Sequence, residues 1–483
     1  MGTNAYLGDP RHGKLAPVKY RGLVLSLVLG LAACGDNLDA GPAPTDLLGK
    51  VRALPNVHDA DEQPTQTAGY HYIVIHFTQP VDHDDPQSAT FLQEVSLLHK
   101  DEGRPLIVHT SGYWDYYLDR TVELTQLLAA NQISIEHRFF AASRPSPADW
   151  TKLTIRQMAA DEHEIVAALR TIYTGKAIST GASKGGMTAV FYRRFYPDDV
   201  DGTVPYVAPI SFGAPDTRYT TFLDTVGTTA CRQAVRDAAA EMLAHRRAAL
   251  ESRAQADAQA NGYQYTRIAL GPAVESSIAS LEWAFWQYYG ITRCTAVPDT
   301  AAGDDAMWTF LDLISPVSDN SDERTGQFEA YYYQAYNELG FPDGGAAYLR
   351  PYLIYTDADY AMSLPTAQPA YDMGAAMHDI DDFVQQHGDR LLFIYGQWDP
   401  WTGGKFALGN ATDSLLLVQP QGTHGSRIGQ LAASDKQAAL AKLEAWTGVT
   451  PTAAAARAFV AEPREMRVPP AMVRALRARH ESP

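Results

Sequence analysis

The chain predicts an α/β fold, a largely parallel sheet packed between helices, and three observations carry that expectation. Short apolar runs alternate with helix-period segments between Arg104 and Phe195. One run, Lys176–Thr180, leads into Gly181-Ala182-Ser183-Lys184-Gly185-Gly186, after which a helical pattern begins at Met187. Two further runs, Leu391–Gly396 and Ser414–Val418, are followed by Asp399 and by His424 respectively. Gly-x-Ser-x-Gly between a strand and a helix reads as a nucleophile elbow, in which the serine takes a strained conformation and the residues two before and two after must be small. A serine hydroxyl is a weak nucleophile near neutral pH, so the reading requires a histidine base and a carboxylate that orients it. The chain order Ser183, Asp399, His424 is that of an α/β-hydrolase and not that of the chymotrypsin or subtilisin types. Taken singly, an Asp before Pro caps turns and a His between glycines suits a surface loop. The coincidence of all three just past strands favours the triad.

At the N-terminus, Lys19 and Arg21 precede an apolar run too short to span a bilayer comfortably, the pattern of an export signal over residues 1–34. Leu31-Ala32-Ala33-Cys34 resembles a bacterial lipobox, which implies a lipidated Cys34 and a protein anchored to the cell envelope; an ordinary secretory signal is the alternative. Met1–Pro17 is long and polar for the leading region of such a signal, and translation from Val18 would leave a conventional one. Residues 35–68, rich in Gly, Pro, Asp and Ala, read as a flexible linker. The folded body is expected from Gly69. Tyr70–Phe77 and Phe91–His99 read as antiparallel opening strands, Arg104–Thr110 as a central parallel strand, Gln132–Glu136 as the next, and Ile155–Tyr173 as a helix. Residues 69–211 thus form the first part of the hydrolase core.

From residue 212 to 386 helical spacing dominates, as in Arg232–Arg253 and Ser276–Tyr289, and this stretch reads as a mainly helical cap inserted between the nucleophile and acid strands. The aromatic run Leu281–Tyr289 is mostly cap core, with one or two rings facing the cleft. The core resumes over 387–450, with Ser434–Trp446 as its last helix, and residues 451–483 are an Ala/Arg-rich tail. Export exposes thiols to an oxidising compartment, where Cys231 and Cys294 are left to pair with each other; two buried free thiols are the alternative.

With 483 residues and 46% hydrophobic content the chain can bury a large core. A net charge of -17 argues against nucleic acid as a partner, which would demand a basic face. No internal repeat, Gly-rich phosphate loop or Cys/His cluster at zinc-ligand spacing occurs, so no metal or organic cofactor is implied.

Four segments carry a family resemblance: Glu136-His-Arg-Phe-Phe, Gly181-Ala-Ser-Lys-Gly-Gly-Met with Phe191-Tyr-Arg-Arg-Phe-Tyr-Pro, Gly396-Gln-Trp-Asp-Pro-Trp-Thr-Gly-Gly, and Gly422-Thr-His-Gly. Together they resemble the secreted bacterial tripeptidyl aminopeptidases, including the prolyl tri/tetrapeptidyl aminopeptidases, and more loosely the lysosomal Pro-Xaa carboxypeptidase and dipeptidyl peptidase II family. The resemblance spans roughly Gly69 to Trp446. It implies an α/β-hydrolase serine peptidase with Ser183 as nucleophile, Asp399 as orienting carboxylate and His424 as general base. Oxyanion donors would be the N–H of Lys184 and one from the loop after Arg104–Thr110, at Gly112 or Tyr113. Exopeptidase action implies an anionic site for a substrate amine, for which Glu282 and Glu136 are candidates; Glu136 and Arg138 read equally as a buried structural ion pair. Trp398 and Trp401, flanking Asp399, are candidate substrate contacts. The expectation is an exported serine exopeptidase that takes peptides by a free N-terminus, with membrane contact only through Cys34. A Pro-specific carboxypeptidase or an esterase on the same scaffold is the alternative, and a non-catalytic adhesion protein has no use for an intact triad.

Overall fold

A computed structural model describes residues 46–115, 119–356, 359 and 370–452. The expectations for the signal, for Cys34 and for the tail beyond residue 452 lie outside the described residues. Nine strands form one sheet: β1 (Val57–Gln63), β2 (His71–Pro80), β3 (Thr90–His99), β4 (Leu106–Thr110), β5 (Asn131–Ile135), β6 (Ala177–Ala182), β7 (Gly202–Tyr206), β8 (Leu392–Gly396) and β9 (Leu415–Gln419), in the spatial order β1-β2-β3-β5-β4-β6-β7-β8-β9. The first three strands pair antiparallel and β3 meets β5 antiparallel, whereas all pairings from β5 to β9 are parallel. Parallel strands covered on both faces need apolar side chains on both. Leu106 and Val108 of β4 accordingly face one cluster with Ile165 and Leu169, while Ile107 faces the other with Leu124, Leu127 and Leu443.

Helices follow from that burial. On one face lie α1 (Leu47–Arg52), α3 (Ile155–Leu169) and α4 (Lys184–Phe195), the last packing Val190 and Phe191 under Leu391, Phe393 and Tyr395. The other face takes α2 (Glu123–Leu128) and the closing helix Ala433–Thr447. The strand order and the strand-to-helix turn after β6 are those of an α/β-hydrolase.

Between β7 and β8 the chain is helical, with α5 (Arg218–Leu223), α6 (Thr229–His245), α7 (Arg247–Asn261), α8 (Leu270–Ala279), α9 (Leu281–Tyr288) and α10 (Asp304–Ile314) among its elements. They bury a core of their own around Val235, Met242, Ile278, Phe285, Trp286 and Phe310. Cys231, in α6, and Cys294 are joined as a disulfide across 63 residues, a closure that contributes on the order of 4 kcal/mol in the chain-entropy account.

Two expectations are corrected. Residues 47–63 are not linker: Val51, Leu54 and Ala60 are buried, and β1 adds an edge strand to β2 through a register that runs from Val57 opposite Phe77 to Gln63 opposite Tyr72. Its sequence, Val-His-Asp-Ala-Asp-Glu-Gln, is held to β2 by backbone pairing and by contacts of Asp59 with His76 and of Glu62 with His71, and carries the charges typical of a protected edge, so no apolar alternation announces it. The helical runs Arg232–Arg253 and Ser276–Tyr289 are each divided, at Arg246 and at Ser280. Arg246 turns out of the helix and binds Glu241 and Asp304, a tertiary partnership that helix periodicity does not report.

Candidate active site

Ser183 sits where β6 ends and α4 begins, at φ 57° and ψ -126°, a region that costs a non-glycine residue about 1–3 kcal/mol. Its N–H donates to Tyr206 O at 2.9 Å, which ties the strained residue to β7. Small neighbours are a steric necessity. A Cβ on Gly181 would lie 2.4 Å from the Gly185 backbone, and one on Gly185 would lie 2.4 Å from Thr110 O. The Thr110 hydroxyl further donates to Gly185 O at 2.6 Å, so strand β4 grips the first turn of the helix.

Asp399 follows β8 and is fully buried. Its Oδ2 lies 2.7 Å from His424 Nδ1, and its Oδ1 accepts from Trp401 N at 3.2 Å. The carboxylate therefore caps the turn Pro400–Gly404 and orients the imidazole as well. With Nδ1–H donated to the carboxylate, Nε2 is left as the basic nitrogen. His424 N donates to Gln287 O at 2.8 Å, so the inserted helix α9 holds the loop after β9.

Ser183 and His424 line one cavity of about 610 Å³. Ser111 and Tyr113 contribute from the loop after β4, and Tyr288, Asp319, Phe328 and Tyr331 from the insertion. Tyr113 meets Phe328 edge-on with ring centres 5.5 Å apart, joining the insertion to that loop. Gly112 has φ 74°, and a Cβ there would come 2.5 Å from Gly185 N. The loop thus runs against the start of α4, whose first N–H groups have no intrahelical acceptor and are available to an anion. Lys184, Gly112 and Tyr113, expected around an oxyanion, are brought together beside Ser183.

The other expected contacts separate. Trp401 lines the cavity. Trp398 is buried in the insertion's core, its ring against Gly290, and is not among the lining residues. Neither glutamate lines the cavity. Glu282 is held by Arg236 Nε at 2.8 and 3.0 Å, and burial pushes its carboxyl up to about 7. Glu136 accepts from Ser143 N at 3.0 Å and Ser143 Oγ at 2.9 Å, and burial, then the like charge of Glu94, pushes its carboxyl well above the usual carboxylate range. Nor does Glu136 pair with Arg138. That guanidinium is bound by Asp161 of α3 at 2.6 and 2.7 Å and by the carbonyls of Pro80, Val81 and Lys152.

Sequence reasoning passed over several lining residues. His109 lies opposite Ser134 in the β4–β5 register, its Nδ1 2.9 Å from Ser134 Oγ, which donates to Asp115 at 2.6 Å. Burial, helped by Arg427, drives His109 down to about 3, which makes it a neutral wall of the cavity. Asp319 is the single acidic side chain lining the cavity among the described residues, and Arg324 lies 3.6 Å from it. Neither His109 nor Asp319 stands in a recognisable motif.

The PS-10 peptidase S37 family matches residues 40–467. A prolyl tri/tetrapeptidyl aminopeptidase from Streptomyces mobaraensis is 38% identical over 89% of this chain and 92% of its own. A lysosomal Pro-X carboxypeptidase from Mus musculus is 28% identical over 35% of this chain and 38% of its own. Among solved structures, the peroxisomal alpha-beta-hydrolase Lpx1 from Saccharomyces cerevisiae aligns with a TM-score of 0.36 at 12% identity, covering 85% of this chain and 98% of that one.

Substituting Gly112→Ala forces a Cβ into the Gly185 backbone at a positive φ. The variant is expected to lose about 1–3 kcal/mol of stability and to lower kcat far more than it raises KM, measured by denaturant unfolding and steady-state peptide hydrolysis. Parental kcat in this variant would show that the loop is not part of the reacting geometry.

Proposed function

The chain belongs to the PS-10 peptidase S37 family, and from that premise we propose that it releases tri- or tetrapeptides from free N-termini, with proline favoured at the scissile position. It is a serine peptidase. The observation that supports the finer reading is that Ser183 and His424, the latter paired with Asp399, line one cavity that the helical insertion also walls; such a wall would favour chain ends over folded protein. In this reading His424 Nε2 takes the Ser183 proton as Oγ attacks the scissile carbonyl. The N–H of Lys184 and one from Gly112 or Tyr113 receive the oxyanion. His424 returns the proton to the departing amine, and water then hydrolyses the acyl-enzyme through the same groups.

Asp319 is the carboxylate we assign to the substrate ammonium, because it is the acidic side chain that lines the cavity among the described residues. One observation favours a second reading: Arg120, Arg324 and Arg427 line the same cavity, and a cationic wall suits the C-terminal carboxylate that a Pro-specific carboxypeptidase would hold. The family resemblance and the Streptomyces relative, aligned over nearly its whole length, support the aminopeptidase. Export on a lipidated Cys34 belongs to the same proposal and is supported by the apolar run before that cysteine and by the disulfide in the insertion.

A panel of one peptide in free, N-acetylated and C-amidated forms separates the readings. Acetylation is expected to slow release at least about a hundredfold, since it removes the charge that would pair with Asp319, while amidation has little effect; the reverse pattern would establish the carboxypeptidase. Ser183→Ala is expected to remove about 10⁴–10⁶ of the rate with the fold intact, and undiminished turnover would refute its role. Asp319→Asn is expected to raise KM for the free peptide about 10–100-fold and leave the acetylated peptide unchanged; an unchanged KM for both would exclude Asp319. Cys34→Ala is expected to move the protein from the membrane fraction to the soluble one on cell fractionation, and retention in the membrane would contradict the anchor.

A further inference from the structure

Lys184 follows the nucleophile directly, yet its side chain turns away from the cavity. It is 2% exposed and its Nζ donates to Gly112 O at 2.6 Å, the single hydrogen bond it makes among the described residues. The ring centres of Tyr113 and Phe140 lie 5.5 and 5.3 Å from the same nitrogen. An ammonium with three donors and one acceptor is expensive to bury and is a poor choice for packing alone. Around it stand Glu338 from the insertion, Glu162 from α3 and His137 from the loop after β5. Burial, only partly opposed by Glu338 and Glu162, lowers Lys184 to about 7.

Gly112 O is the carbonyl of the peptide whose nitrogen belongs to Tyr113. In a trans peptide the C=O and the N–H point in opposite directions. Holding that carbonyl against the buried lysine therefore turns Tyr113 N–H the other way, toward Ser111 Oγ, which it meets at 3.3 Å and which lines the cavity with Ser183. A contact of that length lies beyond the usual N–H···O range and is easily exchanged for an oxyanion, a far stronger acceptor.

We propose that the Lys184 side chain is a positioning residue of the oxyanion site, clamping the Gly112–Tyr113 peptide so that Tyr113 N–H and the backbone N–H of Lys184 converge on the reacting carbonyl oxygen. One residue then supplies a donor from its backbone and orients the second with its side chain. The proposal rests on Ser183 being the nucleophile, which Ser183→Ala tests separately.

The test uses Lys184→Met in the full chain, with a proline-terminated tripeptide anilide as substrate, the matching peptide boronic acid as a tetrahedral mimic, and the released tripeptide as a ground-state ligand. The clamp predicts a fall in kcat of about 10²–10³, the loss seen when one oxyanion donor is removed. Boronate affinity should fall by the same factor, while KM and tripeptide affinity stay within about twofold. Retained kcat, or losses of equal size in boronate and tripeptide binding, would overturn it. Should the methionine variant fail to fold, Lys184→Gln keeps an uncharged donor and is read against the parent. The expected result is about a tenfold loss in both kcat and boronate affinity with tripeptide affinity unchanged; equal loss in all three, or none, would again overturn the proposal.

Discussion

Three backbone segments approach one another at Gly112, Gly181 and Gly185 more closely than any side chain permits, and the arrangement of the site depends on that convergence. The loop after β4, the end of β6 and the first turn of α4 are brought to distances at which a single added Cβ would overlap backbone atoms at 2.4–2.5 Å. Close approach fixes the nucleophile relative to the donors without relying on flexible groups. The strain at Ser183 persists because the surroundings over-determine it, through Tyr206 O on its own N–H and Thr110 on the carbonyl of Gly185.

The histidine side of the site is built on the same logic by different strands. Gly396, at the end of β8, meets Thr423 O at 2.4 Å from where its Cβ would be, so the loops bearing Asp399 and His424 pack backbone to backbone. The insertion completes this half. Gln287 O accepts from His424 N, and Phe328 rests against Tyr113 on the opposite wall. The insertion thus touches both the loop that carries His424 and the loop after β4.

How far the sequence reveals this depends on the kind of interaction involved. Parallel strands buried on both faces read as continuous apolar runs, so β4, β5, β6 and β8 were visible, as were the half-buried β9 and the order Ser183, Asp399, His424, whereas β7 was not read as a strand. β1 was not, because an edge strand held by backbone bonds and polar cross-strand pairs needs no apolar pattern. The disulfide was accessible by elimination among few cysteines. The Glu136–Arg138 pairing failed for a different reason. Residues two apart in sequence face separate partners once the chain turns, and Arg138 finds Asp161 from α3 while Glu136 caps its own loop at Ser143. The lysine clamp escaped because a motif records which residue follows the nucleophile, not where its side chain goes.

Charge offers the last step. The chain carries -17 overall, which invites the expectation of an anionic site for a cationic chain end. Burial works against it. Glu136, Glu162 and Glu338 are enclosed in the core, where desolvation favours their protonated forms, and Glu282 is spent on Arg236. The acidity of the sequence therefore resides on the surface, screened beyond about 10 Å at ordinary ionic strength. What lines the cavity is nearly the inverse, among the described residues three arginines and one aspartate. On the proposed reading, selection of a substrate's end is decided locally, by whether the ammonium reaches Asp319 or a carboxylate reaches the arginines, rather than by net charge.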